Sequence, residues 1–230
     1  KREISARPDH HQPKSRSIGD ERAGMRVASP NGYNEPMPGS DRVKPAIPGV
    51  KLTYDDFVLF PDDGKRHEII DGEHYVTPSP NTKHQSVSGN LHLLIGSWLE
   101  THPIGRIFYA PFDVIFSDFD VVEPDLLYFS NERAAAVLTP QHVRGAPELV
   151  VEIASPGTRR CDETIKRRLY ERAGVSEYWI VDPEVDVVRI YGRAQEAFGR
   201  VIELSRESDD VVTTPLLPGL EMPLTRIFRE

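Results

Sequence analysis

From Lys1 to about Val50 the chain shows no apolar run and neither a helical nor an alternating period, and Pro, Ser, Arg, Asp and Gly dominate. Such a stretch buries too little apolar surface to offset the entropy of ordering, so residues 1–50 are expected to form a disordered or extended tail. Patterned sequence starts at "KLTYDDFVLF", where Thr53 is placed to cap a short helix carrying Phe57, Val58 and Phe60 on one side. In "RHEIIDGEHYVTP" two short extended pieces flank Asp71-Gly72, a strong hairpin signal. After the cap candidates Asn81 and Thr82, Val87, Leu91, Leu94, Ile95 and Trp98 recur at helical spacing and predict the first long helix.

The next two runs, "GRIFYAPFDVIFS" and "DVVEPDLLYFS", read as neighbouring strands joined by a turn at Asp118 to Asp120. Residues 131–146 read as a looser stretch. "PELVVEIAS" is almost wholly apolar between two prolines, which predicts a central strand buried on both faces. A second helix is expected from Thr158 as its cap to Gly174, with Ile165, Leu169 and Tyr170 as its apolar stripe. "SEYWIVDP", "DVVRIYGR" and "RVIELS" supply further strands, and a short piece around Leu220 to Phe228 closes the chain. Strands on either side of two long helices predict an α/β fold, a mixed central sheet with helices on its faces, over one domain at 51–230.

Charge narrows the function classes. The net charge is −8, so nucleic acid is not coated through bulk positive charge, although a local basic strip remains open. One cysteine, Cys161, rules out an intramolecular disulfide and a cysteine-rich zinc site, and fits a reducing compartment. No run reaches the ~18 uninterrupted apolar residues of a membrane span, and the N-terminus lacks the apolar core of a signal peptide. A soluble cytoplasmic chain is therefore expected. The chain starts at Lys1 and Met25 is a candidate initiator, so no function is sought before it; His10 and His11, adjacent in a polar segment, receive no role.

Glu152 most needs explaining, because it lies inside the apolar run "ELVVEIA", where an unpaired carboxylate is strongly disfavoured. A bound cation or a fixed Lys or Arg must offset it. Asp125 poses the same problem just before Leu126, Leu127 and Tyr128. Two carboxylates at the polar ends of adjacent strands supply the hard oxygens that Mg²⁺ prefers, which suits phosphodiester hydrolysis. Lys166, on the helix that follows Glu152, is placed to point back over the same strand end and hold a water or the charged transition state. A plainer reading makes Glu152 a buried ion-pair partner of Lys166 or of an arginine in "TRRCDETIKRR", with Asp125 merely ending a strand.

From about Leu52 to Pro218 the sequence resembles the Uma-type restriction endonuclease family of the PD-(D/E)XK nuclease superfamily. The resemblance is carried by "HEIIDGE", His84 opening the long helix, "APFDV", "VVEPDLLYFS", "GAPELVVEIASPGT" and "KRRLYERAGVSEYWIVDP". It implies the restriction-endonuclease-like three-layer α/β/α fold, with Pro124-Asp125 as the "PD" and Glu152 as the acid of "(D/E)XK". Ala154 then stands where the lysine is expected, and Lys166 is the lysine that matches from the following helix. By the same resemblance Glu68 is the upstream acid, an outer-shell or second-metal ligand, unless it is an exposed hairpin glutamate paired to Arg66 or Lys65. His84 matches a histidine placed to orient a phosphate or a water, the alternative being a helix-terminus histidine bonded to the backbone. Asp113 also matches, without a role.

The implied activity is a Mg²⁺-dependent endodeoxyribonuclease, with Mn²⁺ as a substitute ion, Asp125, Glu152 and Glu68 as metal ligands, and DNA as partner. A homodimer is expected, since cutting both strands of a duplex is easiest with two related sites. Arg159, Arg160, Lys166, Arg167, Arg168 and Arg172, set against Asp162, Glu163 and Glu171, make the neighbouring helix the one locally basic element beside the site, a candidate track for the nucleic-acid backbone, the alternative being a charge-mixed solvated face. Two rivals stand beside this reading: a nucleic-acid-binding or assembly module on the same fold without turnover, which Ala154 favours, and a hydrolase of smaller phosphodiesters. G-x-S-x-G, H-E-x-x-H, Walker A and dinucleotide-binding patterns are absent.

Overall fold

A computed structural model describes residues 49–77 and 79–230 and the backbone of Arg42–Val43. The expectations for a tail over 1–50, His10, His11 and Met25 otherwise lie outside the described residues. Arg42–Val43 forms strand β1, which pairs with His74 and Tyr75. Helix α1 (Tyr54–Phe57) is a single turn, held where the Thr53 N–H donates to Asp56 Oδ2 at 2.8 Å. Phe57 and Phe60 pack beneath it, but Val58 turns outward, because one turn of helix cannot keep three apolar residues on one side. The hairpin of β2 (Arg66–Ile70) and β3 (Glu73–Thr77) turns at Asp71 and Gly72, both with positive φ, as the Asp-Gly pair predicts.

Helix α2 (Thr82–Thr101) buries Val87, Leu91, Leu94, Ile95 and Leu99, and Asn81 caps it by accepting from the His84 N–H at 2.9 Å. Asn81→Ala should therefore cost about 1 kcal/mol in a urea titration; an unchanged midpoint would mean the cap contributes nothing. The two runs after α2 each divide. β4 (Gly105–Tyr109) pairs with β7 (Leu126–Ser130), whereas β5 (Val114–Ser117) and β6 (Asp120–Val122) form a hairpin in a different sheet. Pro111 and Pro124, which bring no N–H to a ladder, sit at the two breaks. The looser stretch also holds structure: Ser130 caps α3 (Asn131–Val137), and β8 (Val143–Arg144) runs parallel to β5.

β9 (Leu149–Ile153) is buried at every position and lies between β7 and the parallel strand β10 (Glu177–Asp182). Between them run α4 (Arg159–Cys161), a π turn (Asp162–Lys166) and α5 (Arg167–Ala173), which ends at Gly174 with φ 88°. Thr158 does not cap this helix. Its hydroxyl instead accepts from the Ser155 N–H across the preceding turn. Strands β11 (Val187–Ala194), β12 (Ala197–Phe198) and β13 (Ile202–Ser205) extend the sheet, and β14 (Val211–Val212), β15 (Met222–Pro223) and α6 (Leu224–Ile227) end the chain.

The result is an α/β fold built on a mixed seven-stranded sheet, with a second, six-stranded sheet beside it. Leu149, Val151 and Ile153 face one core, shared with α2 and α6. Val150 and Ala154 face the other, shared with α3, α5 and the second sheet through Ile70, Val114 and Val122. Every strand alternates its side chains, so Glu152 must enter the second core. Among the described residues no helix is long and apolar enough to cross a membrane.

Candidate active site

Glu152 shares its strand face with Val150 and Ala154, beneath α5. Across the ladder Leu126 pairs with Val151, so the same register, continued by one residue, sets Asp125 opposite Glu152. From the second sheet, β2 alternates Arg66 and Glu68 onto one face and His67 and Ile69 onto the other. Arg66, Glu68, Asp125 and Glu152 converge with Lys166 and His84 on one cavity of about 200 Å³.

Lys166 is at the centre. Its ammonium donates to Glu68 Oε1 at 2.8 Å and to Glu152 Oε1 at 3.0 Å, and all three side chains are buried. Tyr170 adds its hydroxyl to the same Glu152 oxygen at 2.5 Å. Asp125 is clamped separately: Arg66 donates to Oδ1 at 2.8 Å, while the Ile153 N–H at 2.7 Å and His84 Nε2 at 3.1 Å meet Oδ2. Arg66 also reaches Glu123 at 2.7 Å. Glu68 is thus no exposed hairpin glutamate, and Arg66 serves Asp125 and Glu123 rather than Glu68.

The charges follow from this packing. Burial drives the Glu152 carboxyl up to about 7; the Lys166 ammonium opposes that, and the nearby Asp125 and Glu68 reinforce it. Burial acts on Asp125 in the same sense, yet the His84 hydrogen bond and the Arg66 charge outweigh it and hold the carboxyl at about 2. Burial works against the charge on Lys166, but Glu152, Glu68 and Asp162 together hold its pKa well above the usual range. Lys166 is therefore protonated at neutral pH and acts as a donor.

Four residues of this site escaped the reading of the sequence: Arg66, Glu123, Asp162 and Tyr170. Asp162 and Tyr170 stand four residues before and after Lys166, and all three are buried. In a plain α-helix each four-residue step overshoots a full turn by about 40°, so the set would fan out. The wider π turn takes back part of that overshoot and keeps the three on one line, which is where such turns often serve function.

The basic track is largely absent. Arg159 pairs with Asp182 at 2.7 Å, Arg172 with Asp71 and Asp120, and Lys166 is buried. Arg160 and Arg168 are exposed and keep no ion-pair partner among the described residues. Ala154 is buried with Cys161 and Leu169, so the ammonium reaches Glu152 from the helix and not from the strand.

The sequence profile of the Uma2 family, described as "Putative restriction endonuclease", matches residues 54–225, a span that holds every residue of this site. The chain belongs to the Uma2 family. A solved structure described as "a putative nuclease belonging to DUF820", from Anabaena variabilis ATCC 29413, superposes with a TM-score of 0.65 at 23% identity, covering 77% of this chain and 97% of that one. That likeness establishes a common fold. No match was found among curated proteins. The Uma2 assignment and the shared fold together support a nuclease role.

The donor chemistry of this Uma2 chain suits a hard divalent ion. Glu68 Oε2 and Glu152 Oε2 carry no hydrogen bond among the described residues, while their Oε1 atoms are taken by Lys166. Among the described residues, however, no three His, Cys, Asp or Glu side chains converge as a ready ligand set. Lys166 and Arg66 hold the acids in their present arrangement.

Proposed function

We propose that the protein is a metal-dependent endonuclease that hydrolyses phosphodiester bonds of DNA, with Asp125, Glu152 and Glu68 as the residues that hold Mg²⁺ or Mn²⁺. The observation that carries this reading is the buried group Glu68–Lys166–Glu152, which lines one cavity with Asp125. When bound, such an ion polarises the scissile phosphate and makes the attacking water more acidic.

The protein's own groups divide the remaining work. Lys166, kept protonated, donates a hydrogen bond to a phosphate oxygen or to the water and offsets the charge that develops there. Tyr170 and Lys166 together engage Glu152 Oε1, so Oε2 is the oxygen left for a ligand. His84 and Arg66 fix the plane of the Asp125 carboxylate and hold it ionised. Arg160 and Arg168 are the exposed guanidiniums of the neighbouring helix that meet backbone phosphates. Two copies acting together would cut both strands of a duplex.

Supercoiled plasmid should be nicked only with Mg²⁺ or Mn²⁺, and Asp125→Asn should slow nicking by roughly 10²–10³-fold, the rate equivalent of several kcal/mol. Undiminished nicking by that variant would place the chemistry elsewhere. One observation favours the second reading, a nucleic-acid-binding module without turnover: Lys166 and Arg66 already engage the acids. Titration with Mn²⁺ separates the two, because such a module takes up no ion and is indifferent to Asp125→Asn.

A further inference from the structure

Strand β4 is the last strand of the seven-stranded sheet and has β7 on one side only. Just beyond its two ends the ladder bonds are Asn131 N–H to the Ile104 carbonyl and Ala110 N–H to the Asp125 carbonyl. Even-numbered positions therefore bond inward to β7, and by the alternation of an antiparallel ladder Gly105, Ile107 and Tyr109 turn their N–H and C=O groups to the outside. Among the described residues nothing accepts or donates there. A row of three unpaired donors and three unpaired acceptors is a template for another extended chain.

The surroundings lack the usual protection. Within β4 there is no Pro and no Lys, its register with β7 is unbroken, and the one exposed charge is Arg106. Ile104, Tyr109 and, on the adjacent face of α2, Leu93 are exposed apolar side chains, with Tyr109 58% exposed. From Thr101 to Phe112 there is not one Asp or Glu, in a chain that carries 36 of them. Two copies of an acidic protein repel over most of their surfaces, and this strip is free of that repulsion. The opposite edge differs: β13 carries Glu203 and is followed by Arg206, Glu207 and Asp209.

We infer that β4 is the interface between two copies of this chain, joined edge to edge in antiparallel register about a two-fold axis at Ile107. In that register Ile107 meets its own copy and Gly105 meets Tyr109 of the other, so six main-chain hydrogen bonds form. The bulkiest exposed side chain then lies beside the residue that has none. Two seven-stranded sheets become one continuous sheet, and Asp125, whose carbonyl accepts from Ala110 at the end of β4, comes under two-fold symmetry.

Light scattering behind size exclusion should give twice the chain mass at micromolar concentration. Tyr109→Lys, at an exposed position, should return a monomer that is still folded, with an unchanged far-UV circular dichroism spectrum and a melting temperature lower by no more than the lost association accounts for. Ile107→Pro removes an N–H that β7 does not use and should also return a monomer, with some loss of stability because the Ile107 side chain packs against the core. By NMR hydrogen exchange, the Ile107 amide should be protected in the concentrated sample and exchange at least about tenfold faster on dilution to the monomer. A wild-type chain that stays monomeric, a dimer that survives both substitutions, or an Ile107 amide protected equally at every concentration, as a segment of the same chain lying over the edge would make it, overturns the proposal.

Discussion

Replacing Lys166 with methionine is expected to destabilise the protein by about 3–5 kcal/mol at pH 8, the usual effect of removing one partner from a buried ion pair. Methionine keeps much of the volume, so the loss is electrostatic. Glu68 and Glu152 would then face each other in the core without a counter-charge, and Glu152 would resist ionisation more than before. The deficit should shrink as the pH falls toward 5 and Glu152 takes up a proton, since a carboxyl with a raised pKa contributes stability that is lost as the pH rises through it. Millimolar Mn²⁺ should recover part of the lost melting temperature in the variant and do less for the parent. Equal denaturation midpoints for parent and variant at pH 8 would show that Lys166 does not balance these acids.

Glu152→Gln is expected to do the opposite to stability while removing function. Glutamine keeps the shape but not the charge, so plasmid nicking should fall to background. Stability should not fall with it. The wild-type carboxyl, raised from 4.5 to about 7, gives stability that is complete below pH ~4.5 and is lost as the pH climbs through 7. The variant has no such group, so its stability should vary less over that window, and at pH 8 it should match or exceed the parent. Cation affinity of the parent should rise across the same window as Glu152 ionises, and the variant should lack that rise. A variant that unfolds more readily than the parent at every pH would mean the charge on Glu152 stabilises the fold rather than straining it.

Periodicity made much of the fold legible. The Asp71-Gly72 hairpin, α2 with its five buried positions, and β9 buried throughout all follow from patterns that span a whole element. What failed was what depends on partners far along the chain. A proline marks where a strand breaks, but nothing local says that residues 105–109 go to one sheet and 114–117 to another. Helix α3 was missed because only Ala134 and Val137 are buried, too few to set a period.

The candidate site divides in the same way. Glu152 and Asp125 announce themselves as acids among apolar neighbours, and Lys166 follows from its place on the helix after Glu152, with the family resemblance matching the same residue. Arg66 and Tyr170 had no such signal: Arg66 finds Asp125 59 positions away, and Tyr170 reads as one more apolar residue of a stripe until its hydroxyl meets Glu152. Asp162 was hidden by the π turn, since helical spacing alone does not say which side of the second helix faces the strands.

Glu68 and Arg66 arrive on a hairpin, Glu152 and Asp125 on the central sheet, and the amine of Lys166 ties the two bodies together. The same hairpin is anchored by Arg66 on Asp125 and Glu123, by the Glu123 N–H donating to Glu68, by the Asp71 N–H donating to Asp120, by the Gly72 N–H donating to the Phe119 carbonyl and by Arg172 on Asp71. Under the proposed function, cutting would then depend on how two plates are clasped: parting the hairpin from the sheet would separate Glu68 and Arg66 from Glu152 and Asp125.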